Sequence, residues 1–231
     1  MSPLIIANWK MNLTFNEAIF LATSLTEQSF SRQLIIAPPA PYIGYLKAHF
    51  EQIDFCAQDV SSKNEFGSYT GENTAKFFKS CGVNYAIIGH SERRNLCKED
   101  DDIVRVKAQN CLDNDITPII CIGEPLEIRQ NKSYPEFLLN QLKQSATQTD
   151  KQIIIAYEPL WSIGTGVVPT IEEISEVFAL IRGLEKKMKL VYGGSVNPKN
   201  CEELLKISGI SGLLVGGASL NKEDLFKILN S

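Results

Sequence analysis

The chain has 231 residues, long enough to bury a core that needs neither disulfide nor metal to hold it. Hydrophobic residues make up 44% and charged residues 22%, too apolar a balance for a disordered chain. With 23 Lys and Arg against 27 Asp and Glu, the net charge of -4 argues against nucleic-acid and acidic-membrane partners. Taken alone it also disfavours an anionic substrate, unless positive potential is concentrated locally.

Residues 4–9 form a short apolar run that ends Ala7-Asn8-Trp9-Lys10-Met11-Asn12. Period-2 alternation puts Asn8, Lys10 and Asn12 on one face, and three polar groups do not suit a core, so Lys10 either faces solvent or is aimed at something. Thr14-Phe15-Asn16-Glu17 then reads as a capping box that opens a helix. Runs at 34–38 and 53–59 follow, with a helical segment around His49 between them. The run 85–89 leads into His90-Ser91-Glu92-Arg93-Arg94, a polar turn with the look of a helix start. The positive end of a helix keeps an imidazole neutral, so His90 is either structural or a polarising group. By default Glu92, Arg93 and Arg94 form a solvated charge cluster. Residues 100–114 read as a helix with an acidic start, before a run at 117–123.

The run 153–158 ends Ala156-Tyr157-Glu158-Pro159-Leu160-Trp161-Ser162-Ile163-Gly164-Thr165-Gly166. A loop carrying Leu160, Trp161 and Ile163 must cover something, either its own scaffold or a ligand. In the second case Glu158, at the root of a lid, is the natural proton acceptor. Thr170-Ile171-Glu172-Glu173 is a second capping box, and Ile171, Ile174, Phe178, Ile181 and Met188 recur at helical spacing. The last runs, 190–193 and 213–216, end in Gly-Gly turns: Tyr192-Gly193-Gly194-Ser195-Val196-Asn197-Pro198 and Leu214-Val215-Gly216-Gly217-Ala218-Ser219. Glycine pairs let backbone N–H groups approach an anion, and helices capped at Asn197-Pro198 and Asn221 should follow.

Eight such runs, several of them continuously apolar, suit parallel strands covered on both faces. Alternation with helices, unbroken by any linker, predicts an α/β fold: one (β/α)8 barrel domain over residues 1–231, with a doubly wound open sheet as the rival. A phosphate site after the last two strands is common in such barrels. Six cysteines (56, 81, 97, 111, 121, 201) without C-x-x-C spacing read as reduced thiols. Neither a signal peptide nor a membrane span is expected, so the reading is a cytoplasmic protein. Nucleophile-elbow, Walker A and dinucleotide fingerprints are missing, and two distant histidines offer no metal cluster.

The ordered set of the 7–12, 89–94, 157–166, 192–198 and 214–220 motifs resembles the triosephosphate isomerase family over the whole chain. The resemblance implies a TIM barrel that interconverts dihydroxyacetone phosphate and D-glyceraldehyde 3-phosphate through an enediol(ate), in glycolysis and gluconeogenesis, without cofactor or metal. It implies Glu158 as the base, neutral His90 as the polariser of the carbonyl oxygens, and Lys10 as fixed positive charge. Asn8, Lys10, Gly164, Ser195, Gly216 and Gly217 match substrate-binding positions, and Glu92 matches a residue supporting Lys10. Residues 66–72 resemble a loop that reaches into a neighbouring subunit, implying a homodimer.

The chain also departs from the family pattern. Pro169 in Val167-Val168-Pro169 should stiffen the lid's far hinge. Ser211 stands where an Asp is common, so Arg182 needs another acceptor, and the 182–190 region is short. A non-catalytic phosphosugar-binding barrel is the alternative reading, whereas an epimerase would need other acid/base residues or a metal.

Overall fold

Alternate residues of each strand are buried on opposite sides, and that pattern dictates the architecture. The computed structural model describes residues 2–147, 149–165, 167–184 and 188–231. Its strands are β1 (Leu4–Asn8), β2 (Gln33–Ala37), β3 (Asp54–Ala57), β4 (Tyr85–Ile88), β5 (Thr117–Ile122), β6 (Ile154–Tyr157), β7 (Lys189–Tyr192) and β8 (Ile210–Val215). Each pairs in parallel with the next, and β8 returns to β1 through Leu4 opposite Gly212 and Ala7 opposite Val215. The barrel is closed, which sets aside the open doubly wound sheet.

Leu4, Ile6, Ile35, Ile87, Ile119, Ile154, Val191 and Leu214 pack together inside the barrel. Their neighbours Ile5, Ala7, Ile36, Phe55, Ile88, Ile120 and Ile155 belong to the outer layer, against the helices. Both faces are therefore dry, so the strands read as continuous apolar runs.

The covering helices are α1 (Phe15–Thr26), α2 (Ala40–His49), α3 (Ala75–Ser80), α4 (Ser91–Leu96), α5 (Asp101–Asp113), α6 (Leu126–Gln130), α7 (Tyr134–Ser145), α8 (Ile171–Leu184), α9 (Cys201–Leu204) and α10 (Lys222–Asn230). Both capping boxes form. Thr14 and Glu17 cap each other's backbone N–H, and so do Thr170 and Glu173. Asp100 accepts from the Ile103 N–H at 2.8 Å and Asn221 from the Asp224 N–H at 2.9 Å.

Asn197 does not cap a helix. Its Oδ1 takes the Lys199 N–H at 2.8 Å, a local turn that competes with capping, and α9 starts only at Cys201. Met188 lies just before β7, outside α8, and part of the shortened 182–190 segment, 185–187, falls outside the described residues. Arg182 finds backbone acceptors, donating to the Met188 carbonyl at 2.7 Å and the Gly209 carbonyl at 2.9 Å. Ser211, in place of an acidic residue, accepts from the Leu190 N–H at 3.3 Å.

All six cysteines are free thiols, and burial pushes those of Cys56, Cys111 and Cys121 up, away from the reactive thiolate. Among the described residues no helix is long and apolar enough to cross a membrane.

Truncating the fully buried Ile87 leaves a void inside the barrel. Ile87→Ala should cost about 2–5 kcal/mol, whereas Phe20→Ala, at a side chain 69% exposed, should stay within about 0.5 kcal/mol. Urea denaturation of the two variants checks this; equal midpoints would contradict the packing described.

Candidate active site

The strand ends that lead into the helices carry the polar groups predicted from sequence. Asn8 closes β1, and its Oδ1 accepts the Lys10 backbone N–H at 3.0 Å. Lys10 takes a left-handed backbone, φ 51°, which is uncommon outside glycine and asparagine. Its Nζ meets Glu92 Oε1 at 2.6 Å. Both side chains are partly exposed, so the pair orients Lys10 more than it stabilises the fold.

After β4 the chain turns into α4 with His90 as N-cap. The His90 Nδ1 accepts the Glu92 backbone N–H at 3.2 Å. A ring nitrogen that accepts a hydrogen bond carries no proton, so the ring is neutral and protonated on Nε2. That nitrogen lies 3.2 Å from Glu158 Oε1. The other Glu158 oxygen takes the Ser91 backbone N–H, also at 3.2 Å. Glu158 is 2% exposed, and both carboxylate oxygens are met from the start of α4.

Two glycines make room for it. A Cβ on Gly123 would strike the Glu158 carbonyl oxygen at 1.8 Å, and one on Gly193 would come within 2.9 Å of the Glu158 Cγ. Glycine is required at both places by close approach rather than by turn geometry.

A cavity of about 220 Å³ sits over these groups. Asn8, Lys10, His90, Glu158, Gly164, Ser195, Gly216 and Gly217 all line it, so every catalytic and substrate-binding residue expected from sequence converges on one space. Glu92 stands behind Lys10 rather than in the lining. The default reading of Glu92, Arg93 and Arg94 as a solvated cluster is overturned. Arg93 pairs with Asp59 and Glu99, and Arg94 pairs with Asp101 while donating to the Gly89 carbonyl at 2.8 Å.

The segment after β6 folds over its own scaffold as well as the cavity. A turn at Leu160–Ser162 places Trp161 Nε1 3.1 Å from Glu124 Oε1, which also accepts the Tyr157 hydroxyl at 3.0 Å. Ser162 donates to the Val167 carbonyl at 2.7 Å, and Ser195 donates to the Ser162 carbonyl at 2.6 Å. Gly166 lies outside the described residues. Burial pushes the Tyr192 hydroxyl, 3.3 Å from Ser162 Oγ, up to about 12, so it remains a neutral hydrogen-bonding group.

Glu124 was not anticipated. It is fully buried, and burial raises its carboxyl above the usual range although Trp161 and Tyr157 donate to it. A signal was present, since Glu-Pro follows both β5 and β6, as Glu124-Pro125 and Glu158-Pro159.

Fold and site together define a class: a (β/α)8-barrel protein with a carboxylate–imidazole pair, a cation and glycine turns around one cavity at the C-terminal ends of its strands. Residues 3–231 match the family model described as triosephosphate isomerase. The chain is 43% identical to the triosephosphate isomerase of Orientia tsutsugamushi (strain Ikeda), over 100% of this chain and 98% of that protein. It is 38% identical to that of Saccharopolyspora erythraea, over 98% and 95% of the two chains. For that of Thermus thermophilus the identity is 37%, over 98% and 97%. The chain belongs to the triosephosphate isomerase family.

The tight fit of Glu158 against Gly193 yields a direct test. In Gly193→Ala the new methyl displaces the carboxylate, and a misplacement of ~1 Å can cost ~10²-fold in turnover. Steady-state kinetics on the purified variant should show that loss in kcat; an unchanged kcat would mean Glu158 does not need its observed position.

Proposed function

We propose that the protein interconverts dihydroxyacetone phosphate and D-glyceraldehyde 3-phosphate through an enediol(ate), as a single barrel domain with Glu158 as the proton-transferring base. The observation that carries this reading is the approach of a buried carboxylate and a neutral imidazole to 3.2 Å at the floor of a cavity that also holds Lys10.

Moving a proton between adjacent carbons needs a base on one face and donors where negative charge develops on oxygen. Glu158 removes the proton from the carbon beside the carbonyl and returns it to the neighbouring carbon. The His90 Nε2–H, freed from Glu158 as substrate enters, points at the two oxygens of the enediolate. It serves as a neutral donor because Nδ1 is committed to a backbone N–H. Lys10 adds fixed positive charge between enediolate and phosphate, oriented by Glu92, and Asn8 holds the Lys10 backbone and lines the same space. Backbone N–H groups at Gly164, Ser195, Gly216 and Gly217 receive the phosphate. Ile163 and Gly164 close over it as part of a lid, stiffened at its far end by the buried Pro169. The reaction is complete without a cofactor or metal, in the cytoplasm.

The protein acts as a homodimer. Met11, Phe66, Tyr69 and Leu96 are exposed apolar side chains on segments that follow β1, β3 and β4 at the end of the barrel that carries the site. A second copy gives them cover. Light scattering should return twice the chain mass at micromolar concentration; the mass of one chain would contradict the dimer.

A coupled assay with glyceraldehyde 3-phosphate tests the activity. Glu158→Gln keeps the shape of the site but removes the base, so kcat should fall by at least ~10²–10⁴-fold, while a phosphate-bearing analogue still binds. Turnover retained in that variant would sink the assignment of Glu158. An inactive parent chain that binds the analogue would instead favour the non-catalytic phosphosugar-binding barrel.

A further inference from the structure

Among the described residues that line the cavity, Lys10 is the only lysine or arginine, and its backbone is in a conformation that lysine does not favour. At φ 51° the Cβ crowds the following carbonyl, so such a residue persists only where its surroundings over-determine it. Asn8 holds the Lys10 N–H and Glu92 holds the ammonium. The remaining group, the Lys10 carbonyl, accepts a hydrogen bond from Gln58 Nε2 at 2.8 Å.

Gln58 is the first residue after β3 and does not line the cavity. The same amide nitrogen also donates to the Ala37 carbonyl at 2.9 Å, at the end of β2. That carbonyl in turn accepts the Trp9 N–H at 3.0 Å. One carboxamide thus ties the ends of three successive strands and grips the backbone on the C-terminal side of Lys10. Asn8 grips it on the N-terminal side. An apolar side chain of the same length would leave the Lys10 carbonyl in want of a donor, while the Ala37 carbonyl would keep the Trp9 N–H. The Lys10 carbonyl would then turn toward water, rotating the residue and swinging its ammonium out of the cavity.

We infer that Gln58 is a positioning residue: its carboxamide locks Lys10 in the left-handed conformation and so keeps the ammonium where enediolate and phosphate meet. The inference rests on the isomerase reading above, in which Lys10 serves both groups. It requires that losing Gln58 act through Lys10 and appear in binding as well as in turnover.

The experiment compares the full-length parent with Gln58→Met, Gln58→Asn, Lys10→Ala and the Gln58→Met/Lys10→Ala double variant. The measurements are kcat, KM, the inhibition constant of inorganic phosphate, and Tm. Gln58→Met should lower kcat/KM by roughly 10–100-fold, with KM and the phosphate inhibition constant rising together. Gln58→Asn, whose amide falls one methylene short, should shift in the same direction. In the Lys10→Ala background the Gln58 substitution should add less than about threefold, because the group it positions is gone. Parental kcat and KM in a folded Gln58 variant overturn the inference. So does an equal loss with and without Lys10, which would mark a merely structural role. Should Gln58→Met not fold, Gln58→Asn and its double variant decide by the same criteria. An inactive parent overturns the isomerase reading itself and is thereby told apart from a failure of the inference.

Discussion

A carboxylate that is almost wholly buried must find its hydrogen bonds inside the protein or lose its charge, and the arrangement around Glu158 answers that constraint. Both of its oxygens are met from the first residues of α4, by the Ser91 N–H and by the imidazole of His90. The helix also orients the opposite wall, since Glu92 in its first turn reaches Lys10. A helix of six residues has little stability of its own. The two arginines behind it supply what is missing. Arg93 is pinned between Asp59 and Glu99, and Arg94 reaches Asp101, Ser145 and the carbonyls of Gly89 and Cys121. These contacts fasten α4 to β5, α5, α7 and the turn after β4, so Glu158, His90 and Lys10 share one support.

The barrel was legible in the sequence because its strands are buried on both faces. Runs such as Ile119 to Ile122 leave no polar residue to confuse the pattern, and all eight strands fall where apolar runs stand. The start of β8 did not show, since Ser211 and Gly212 interrupt the run and the strand begins at Ile210. Of the site, the strand-end residues stood out because polar groups and glycine pairs are anomalous there. Glu124, Gln58 and the arginine anchors did not stand out. Their partners are distant in the chain, as with Gln58 and Lys10 or Glu124 and Trp161, and such contacts leave no periodic trace. The left-handed backbone of Lys10 is equally silent, because lysine does not announce it as glycine would. Asn197 shows the opposite error: a good cap residue whose side chain closed its own turn instead.

The net charge of -4 does not exclude an anionic ligand, because charge is counted over the whole surface and felt locally. Lys10 stands in a cavity of about 220 Å³ together with His90, Glu158 and the glycine turns after β7 and β8. Glu92 offsets part of the Lys10 charge but fixes its direction, and direction is what a preorganised site requires.

In the proposed reaction Glu158 takes a proton from one carbon, exchanges it with solvent while it is held on the carboxyl, and delivers a proton to the neighbouring carbon. Turnover in D2O followed by NMR tests it most directly. The account predicts deuterium from solvent at the carbon beside the carbonyl in the product, with incorporation lost in Glu158→Gln. Steady turnover in D2O with no solvent deuterium in any product would contradict it, since hydrogen would then pass between the carbons without a base that exchanges with water.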